Sequence, residues 1–280
     1  MINVIGLGNA GCEIAEKFSK YPQYEVYKID VAMKKKKNCF SMPERASPEE
    51  YESKFPARVL TALRKIQGDI LFVVGGGGEV SSASLRILEA VSKNKIEVLY
   101  VKPDESIVTD DESLLDKISF GVFQQYARSG LFERLYLVSN SEIQRTVGNI
   151  PISKYYDTLN EIISSTLHMV NVYRNSNPTI SSFPKESEIC RICTIGIGEI
   201  EKMTDQMYFS LDNANEKRYY FAINKKELEE STALLSKIKT RARQKDNDIK
   251  GGFGIYPTEY EKNYIYIVEQ TKIIQGENHG

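Results

Sequence analysis

Four cysteines in 280 residues are too few for a disulfide framework and point to a reducing compartment. Net charge is nearly absent: 37 basic and 38 acidic residues leave −1, so nothing global attracts nucleic acid or an anionic membrane. No apolar run approaches the roughly 18 residues of a membrane span. The first residues enter a strand pattern directly, without a basic leader or signal peptide, and the expected location is the cytoplasm. Only two histidines occur, His168 and His279, and neither has a partner set for acid–base catalysis. Cys190 and Cys193 form a C-x-x-C, but no second pair exists to complete a zinc site. There is no internal repeat. What is there is ordinary globular material, 41% hydrophobic and 27% charged, enough for one large domain or two ordinary ones.

Along the first half, short apolar runs alternate with amphipathic segments. Strands are expected at 2–5, 24–29, 69–74, 96–101 and 135–138, and helices at 13–21, 57–66, 82–92 and 111–128. This alternation predicts a parallel sheet with crossover helices. Residues 31–53 are polar and read as loop. A helical pattern over 153–174 is longer than a crossover needs. The Ser-, Pro- and Asn-rich stretch 175–187 reads as a loop or boundary. Beyond it, strands are expected at 189–197, 206–211, 219–223, 252–256 and 264–269, with one helix at 225–245. The expected division is a nucleotide-binding part at 1–152, a central helix at 153–176, a smaller α/β part at 188–272 and a disordered tail at 273–280.

Two glycine segments carry the chemistry. Gly6-Leu7-Gly8-Asn9-Ala10-Gly11 joins a strand to a helix, where glycines let backbone approach a phosphate and a helix start offers free N–H groups. Asp30 follows at the end of the next strand, the place of the ribose-binding acid in a dinucleotide fingerprint. A merely tight turn is the competing explanation. The second segment, Gly75-Gly76-Gly77-Gly78, closes the third expected strand and would bring more backbone amides to the same phosphates. An NAD fingerprint has no use for it.

This pair of loops resembles the tubulin/FtsZ superfamily, and the resemblance continues in chain order. Val98-Leu99-Tyr100-Val101-Lys102-Pro103 is similar to the family's strand and proline-bearing loop. The segment 135–142, LYLVSNSE, resembles the strand and loop near the ribose, with Asn140 in it. The segment 151–163, PISKYYDTLNEII, resembles the start of the central helix, and 218–271 the second domain. Tyr156 and Asn160 lie four apart on one helical face. The resemblance implies that Tyr156 stacks on guanine while Asn160 reads its edge, an amide being both donor and acceptor.

Three departures bear on hydrolysis. Where the family's second loop runs GGGTGTG or GGGTGSG, this chain places Gly78, Glu79 and Ser81 at the Thr, Gly and Gly positions. A carboxylate beside phosphates is unfavourable without a metal or lysine. Residues 31–53, where the family senses the γ-phosphate, contain no glycine. The family's N-x-D-x-x-D loop after the central helix has Ser182 and Lys185 at its acid positions here, with Glu186 and Glu188 nearby. The four-lysine run Lys34 to Lys37 reads as solvated loop, or as an anion contact compensating for Glu79.

The expectation is therefore an α/β protein with a mostly parallel Rossmann-like sheet, a long central helix and a smaller α/β second domain. It would be cytoskeletal in type, binding GTP or GDP with Mg²⁺ as a candidate companion. It would associate head to tail into filaments, or with a tubulin-like partner. Any enzymatic activity would be a slow GTPase, with hydrolysis slow or lost. Two readings stand beside it. An NAD-dependent Rossmann oxidoreductase accounts for Gly6, Gly8, Gly11 and Asp30 but leaves the second loop and the long helix idle. A nucleotide-independent structural or adaptor protein treats both glycine segments as turns.

Overall fold

The computed structural model describes residues 1–202, 204–242 and 249–276. Short apolar runs become strands because they can be buried on both faces. β1 (Ile2–Leu7), β2 (Tyr24–Val31), β3 (Cys39–Met42), β4 (Ile70–Gly75), β5 (Ile96–Lys102) and β6 (Arg134–Ser139) lie parallel in the order 3-2-1-4-5-6. Along β4, Ile70, Phe72 and Val74 face one core while Leu71 and Val73 face the other, the period of two that a pleated strand imposes.

Helices cover both faces. α1 (Gly8–Phe18) packs under one face, while α3 (Ala57–Leu63), α4 (Ser84–Val91) and α5 (Asp110–Arg128) cover the other, after the short α2 (Pro48–Ser53). The start of α5 is fixed by a capping box, in which Thr109 and Glu112 satisfy each other's backbone N–H groups. α6 (Asn140–Val147) leads through a short 3₁₀ turn into α7 (Tyr155–Arg174). α7 buries Leu159, Ile163, Leu167 and Val170 in the same core as Val73 and Leu99. Each such aliphatic side chain contributes about 1.5–3 kcal/mol.

The same core runs on into the second half, where Ile195, Tyr220, Ala222 and Tyr256 join it. The second half comprises β7 (Ile180–Ser181), β8 (Ile192–Gly198), β9 (Gln206–Met207), β10 (Glu216–Asn224), α8 (Lys225–Glu230), α9 (Leu234–Ala242), β11 (Lys250–Thr258) and β12 (Tyr264–Thr271). β8 pairs parallel with β6 over Leu135–Leu137, and the sheet continues as β8-β12-β10-β11-β7, with β12 antiparallel to β8 and β10. The fold is α/β as expected.

Several local expectations need correction. Residues 31–53 are not all loop: β3 and α2 lie within them. β3 is only four residues and is entered through Asn38 in a left-handed conformation (φ 58°), so no alternation announces it. The helix expected at 225–245 breaks after Glu230, where Ser231 turns extended; residues 243–245 lie outside those described. Of the strand expected at 206–211 only Gln206 and Met207 pair in the sheet. Residues 273–276 of the expected disordered tail are docked, because buried Gln275 exchanges hydrogen bonds with Gln124 of α5. Residues 277–280, including His279, lie outside the description.

Candidate functional site

Strand order reverses between β1 and β4: β1 leads outward to β2, and β4 leads the other way to β5. In an open parallel sheet such a switch point opens a crevice beyond the C-terminal strand ends. Here it is a cleft of about 420 Å³. The β1–α1 junction supplies Gly8 and Asn9, β2 supplies Asp30, and the end of β4 supplies Gly75, Gly76, Gly77 and Gly78. Asn140 enters from the start of α6, and Tyr156 and Asn160 from the first two turns of α7. Ten of the twelve residues singled out from sequence thus line one cleft.

Gly6 and Gly11 do not line it. A Cβ on Gly6 would collide with the Gly11 carbonyl, and one on Gly11 with the Val73 carbonyl. These two glycines let α1 lie directly on β1 and β4. Gly8 is the residue of this segment that needs a left-handed backbone (φ +70°), and α1 begins there rather than at residue 13.

The second loop also has a structural use. A Cβ on Gly76 would strike the Asp116 carboxylate and the Tyr100 hydroxyl, and one on Gly77 would press on Glu112 of α5. Burial pushes the Asp116 carboxyl up, against the hydrogen bond Tyr100 donates to it and the charge of Lys102. Lys102 is itself buried between Asp116 and Glu105. Ser81 Oγ closes the loop by donating to the Gly75 carbonyl at 2.6 Å.

The cleft is strongly acidic. Glu13, Asp30, Glu79, Asp104 and Glu112 line it, and no Lys, Arg or His among the described residues does. Burial raises the Asp30 carboxyl, which accepts from the Val31 N–H. None of Lys34 to Lys37 reaches the cleft. All four are exposed, and Lys37 pairs with Glu25 at 3.4 Å. Phosphates would enter this field only with a cation. No three carboxylate, His or Cys side chains among the described residues are grouped to hold a metal. A Mg²⁺ here would therefore rest chiefly on oxygens of the ligand. The favourable groups are the N-terminal ends of α1 and α6, which open onto the cleft.

The wall formed by α6 and α7 is built differently. Asn160 is buried and its Nδ2 donates to Glu13 Oε2 at 3.1 Å, whereas Tyr156 is 53% exposed and meets the Tyr155 ring edge to face at 5.1 Å. Tyr155 ties α7 in place by donating to Gln144 at 3.0 Å. Asn140 is 91% buried, and its Oδ1 has no hydrogen-bond partner. A buried unsatisfied acceptor at a cleft wall points to a ligand donor. Sequence reasoning missed Glu13, Asp104 and Glu112 as wall residues. The Thr109-x-x-Glu112 capping pattern was a usable signal for the last of these.

The far end of α7 lies about 30 Å away, at 1.5 Å per residue. In the following loop Phe183 packs over Gly252 and Gly254, which a Cβ at either glycine would disturb. Ser182 lends its N–H to the Phe253 carbonyl. Glu186 is engaged by Arg134 and Arg218. Lys185 and Glu188 are exposed and 4.0 Å apart.

Three further titratable side chains, Cys12, Cys193 and His168, are packed into the fold. Burial, then the Asp30 charge, pushes the Cys12 thiol up to about 12, and it donates to the Gly6 and Ile29 carbonyls. Burial also raises Cys193 to about 12. Burial, helped by the Lys20 charge, lowers His168 to about 4, and its ring stacks on Tyr21 at 3.6 Å. It stays neutral at physiological pH.

No known family model matches the chain, and no curated protein matches it in sequence. Solved structures do match in fold. An empty FtsZ dimer from M. jannaschii is 14% identical, with TM-score 0.71 over 96% of this chain and 88% of that one. A GTPγS-form protofilament of TubZ from Bacillus thuringiensis serovar israelensis is 14% identical, with TM-score 0.71 over 96% and 86%. GDP-bound monomeric CetZ1 from Haloferax volcanii is 15% identical, with TM-score 0.71 over 97% and 94%. The chain has the tubulin/FtsZ-superfamily fold, and this does not favour the oxidoreductase reading. No helix among the described residues is long and apolar enough to cross a membrane.

Proposed function

We propose that this chain is a tubulin-like cytoskeletal protein that binds GTP or GDP in the acid-lined cleft and associates head to tail, with hydrolysis slow or lost. One observation carries the reading: both glycine loops, Asp30, Asn140 and the first turns of α7 converge on a single cleft at the strand-order reversal. Gly8 and Asn9, with the N-termini of α1 and α6, would face the phosphates. Asn140 Oδ1 would accept from the sugar or base, and Tyr156 would stack on the base.

The slow or absent hydrolysis follows from the opposite end. Phosphoryl transfer by positioning needs acids that place water at an assembled site. Ser182 and Lys185 stand at those positions, and Glu186 is held by two arginines. The neighbours named as protofilaments support head-to-tail assembly by likeness of fold. Such a contact is heterologous, and it gives filaments when it does not close.

The test is to pellet the purified protein with GTP–Mg²⁺, GDP–Mg²⁺ or no nucleotide, view the pellets by negative-stain microscopy and follow phosphate release. Filaments with GTP and little phosphate support the proposal. Hydrolysis at ordinary enzyme rates, or no filaments in any condition, defeats it. A second reading, a nucleotide-independent adaptor, is favoured by the packing demands on Gly6, Gly11, Gly76 and Gly77. It predicts assembly unchanged by nucleotide and no guanine nucleotide copurifying.

A further inference from the structure

The outer face of α5 is not finished as a solvated surface. Leu114 and Ile118, each 57% exposed, sit one turn apart on it. Ile107 at 57% and Leu131 at 58% flank the two ends of the helix. Gly121 lies on the same face, one turn beyond Ile118. A Cβ there would meet nothing within 4 Å, so the monomer has no packing need for a glycine. Glycine inside a helix costs about 1 kcal/mol against alanine. The missing side chain leaves an open notch beside Ile118 on the exposed face of α5.

The charges on this face identify what fills the notch. Asp110 and Asp111 stand at the N-terminal end and Arg128 at the C-terminal end. Among the described residues, Asp111 and Arg128 enter no ion pair within the chain. Such a helix is complementary to itself in the antiparallel sense, whereas a parallel copy would set acid against acid. Centring the pair between Ile118 and Gly121 seats each Ile118 in the partner's Gly121 notch. It also places each Asp111 opposite Arg128. This is an isologous two-fold contact.

We infer that α5 is a homodimer surface, occupied by α5 of a second copy running antiparallel, with Ile118 inserted at Gly121 and Asp111 paired to Arg128. The contact is lateral, on the helical layer of the sheet, and its N-terminal end adjoins the cleft wall at Glu112.

The experiment is sedimentation equilibrium of the full chain without nucleotide, comparing wild type, Gly121→Arg, Asp111→Arg, Arg128→Asp and the Asp111→Arg/Arg128→Asp double variant. Wild type should show a mass rising from 31.8 kDa toward twice that value with concentration. Gly121→Arg should weaken dimerisation by about a hundredfold and each single charge reversal by about tenfold, while the double reversal restores most of the loss. Gly121→Ala serves as the fold control: it should raise the thermal midpoint of the monomer while weakening the dimer. The inference is overturned if wild type stays monomeric to roughly 100 µM, a weak contact by any measure. It is equally overturned if the self-association is unmoved by Gly121→Arg and the charge reversals.

Discussion

The segments 6–11 and 75–78 are both glycine-rich turns at strand ends, yet they divide their glycines differently between fold and cleft. In the first, Gly6 and Gly11 are pressed between backbones, and only Gly8 both lines the cleft and needs its left-handed conformation. In the second, all four glycines line the cleft, but Gly76 and Gly77 also lie against α5, leaving Gly78 nearly unconstrained. A glycine motif is thus a sum of unlike demands. Counting glycines overstates the evidence for a phosphate.

Substitutions sharpen this contrast. The largest effect is expected at Gly6→Ala or Gly11→Ala, where a methyl meets carbonyl backbone that cannot step aside. Urea unfolding should show a loss of about 3 kcal/mol or more. Gly76→Ala should cost about 2 kcal/mol, because Asp116 and Tyr100 can move only by giving up a buried hydrogen bond. That loss should shrink when Asp116 is also replaced by alanine, and strict additivity would contradict the packing account. The smallest effects separate fold from ligand. Gly8→Ala should cost about 1 kcal/mol through its positive φ. Gly78→Ala should lie within about 0.5 kcal/mol of wild type. If nucleotide binding falls for both, measured by fluorescent-GDP titration, both loops contact phosphate. If neither changes, the proposed ligand site is wrong.

How much was legible in the sequence follows from the same distinction. The parallel layer was readable because β4 and β5 are nearly unbroken apolar runs buried on both faces. β10 was only partly readable. Its first three residues, Glu216, Lys217 and Arg218, are charged yet buried, with Lys217 held by Asp205 and Glu269 from other segments. Only tertiary structure brings those partners together. In the cleft, residues inside motifs were found, and those placed by helix rotation were not. Glu13 borders the cleft from the exposed face of α1, which its apolar pattern does not mark. The orphaned oxygen of Asn140 could not be read at all, since it depends on what fails to surround it.

The seam between β6 and β8 has a mechanical consequence. Only three residue pairs join the strands there, whereas β4 and β5 share six. A pull between the cleft and the loop beyond α7 runs along the parallel strands, so their hydrogen bonds would be strained together in shear. A sideways pull would instead peel the short seam one bond at a time. α7, packed against both halves through contacts such as Tyr173 on Tyr256, crosses that seam like a splint. The molecule should therefore resist stretching along its strands far better than prying across them.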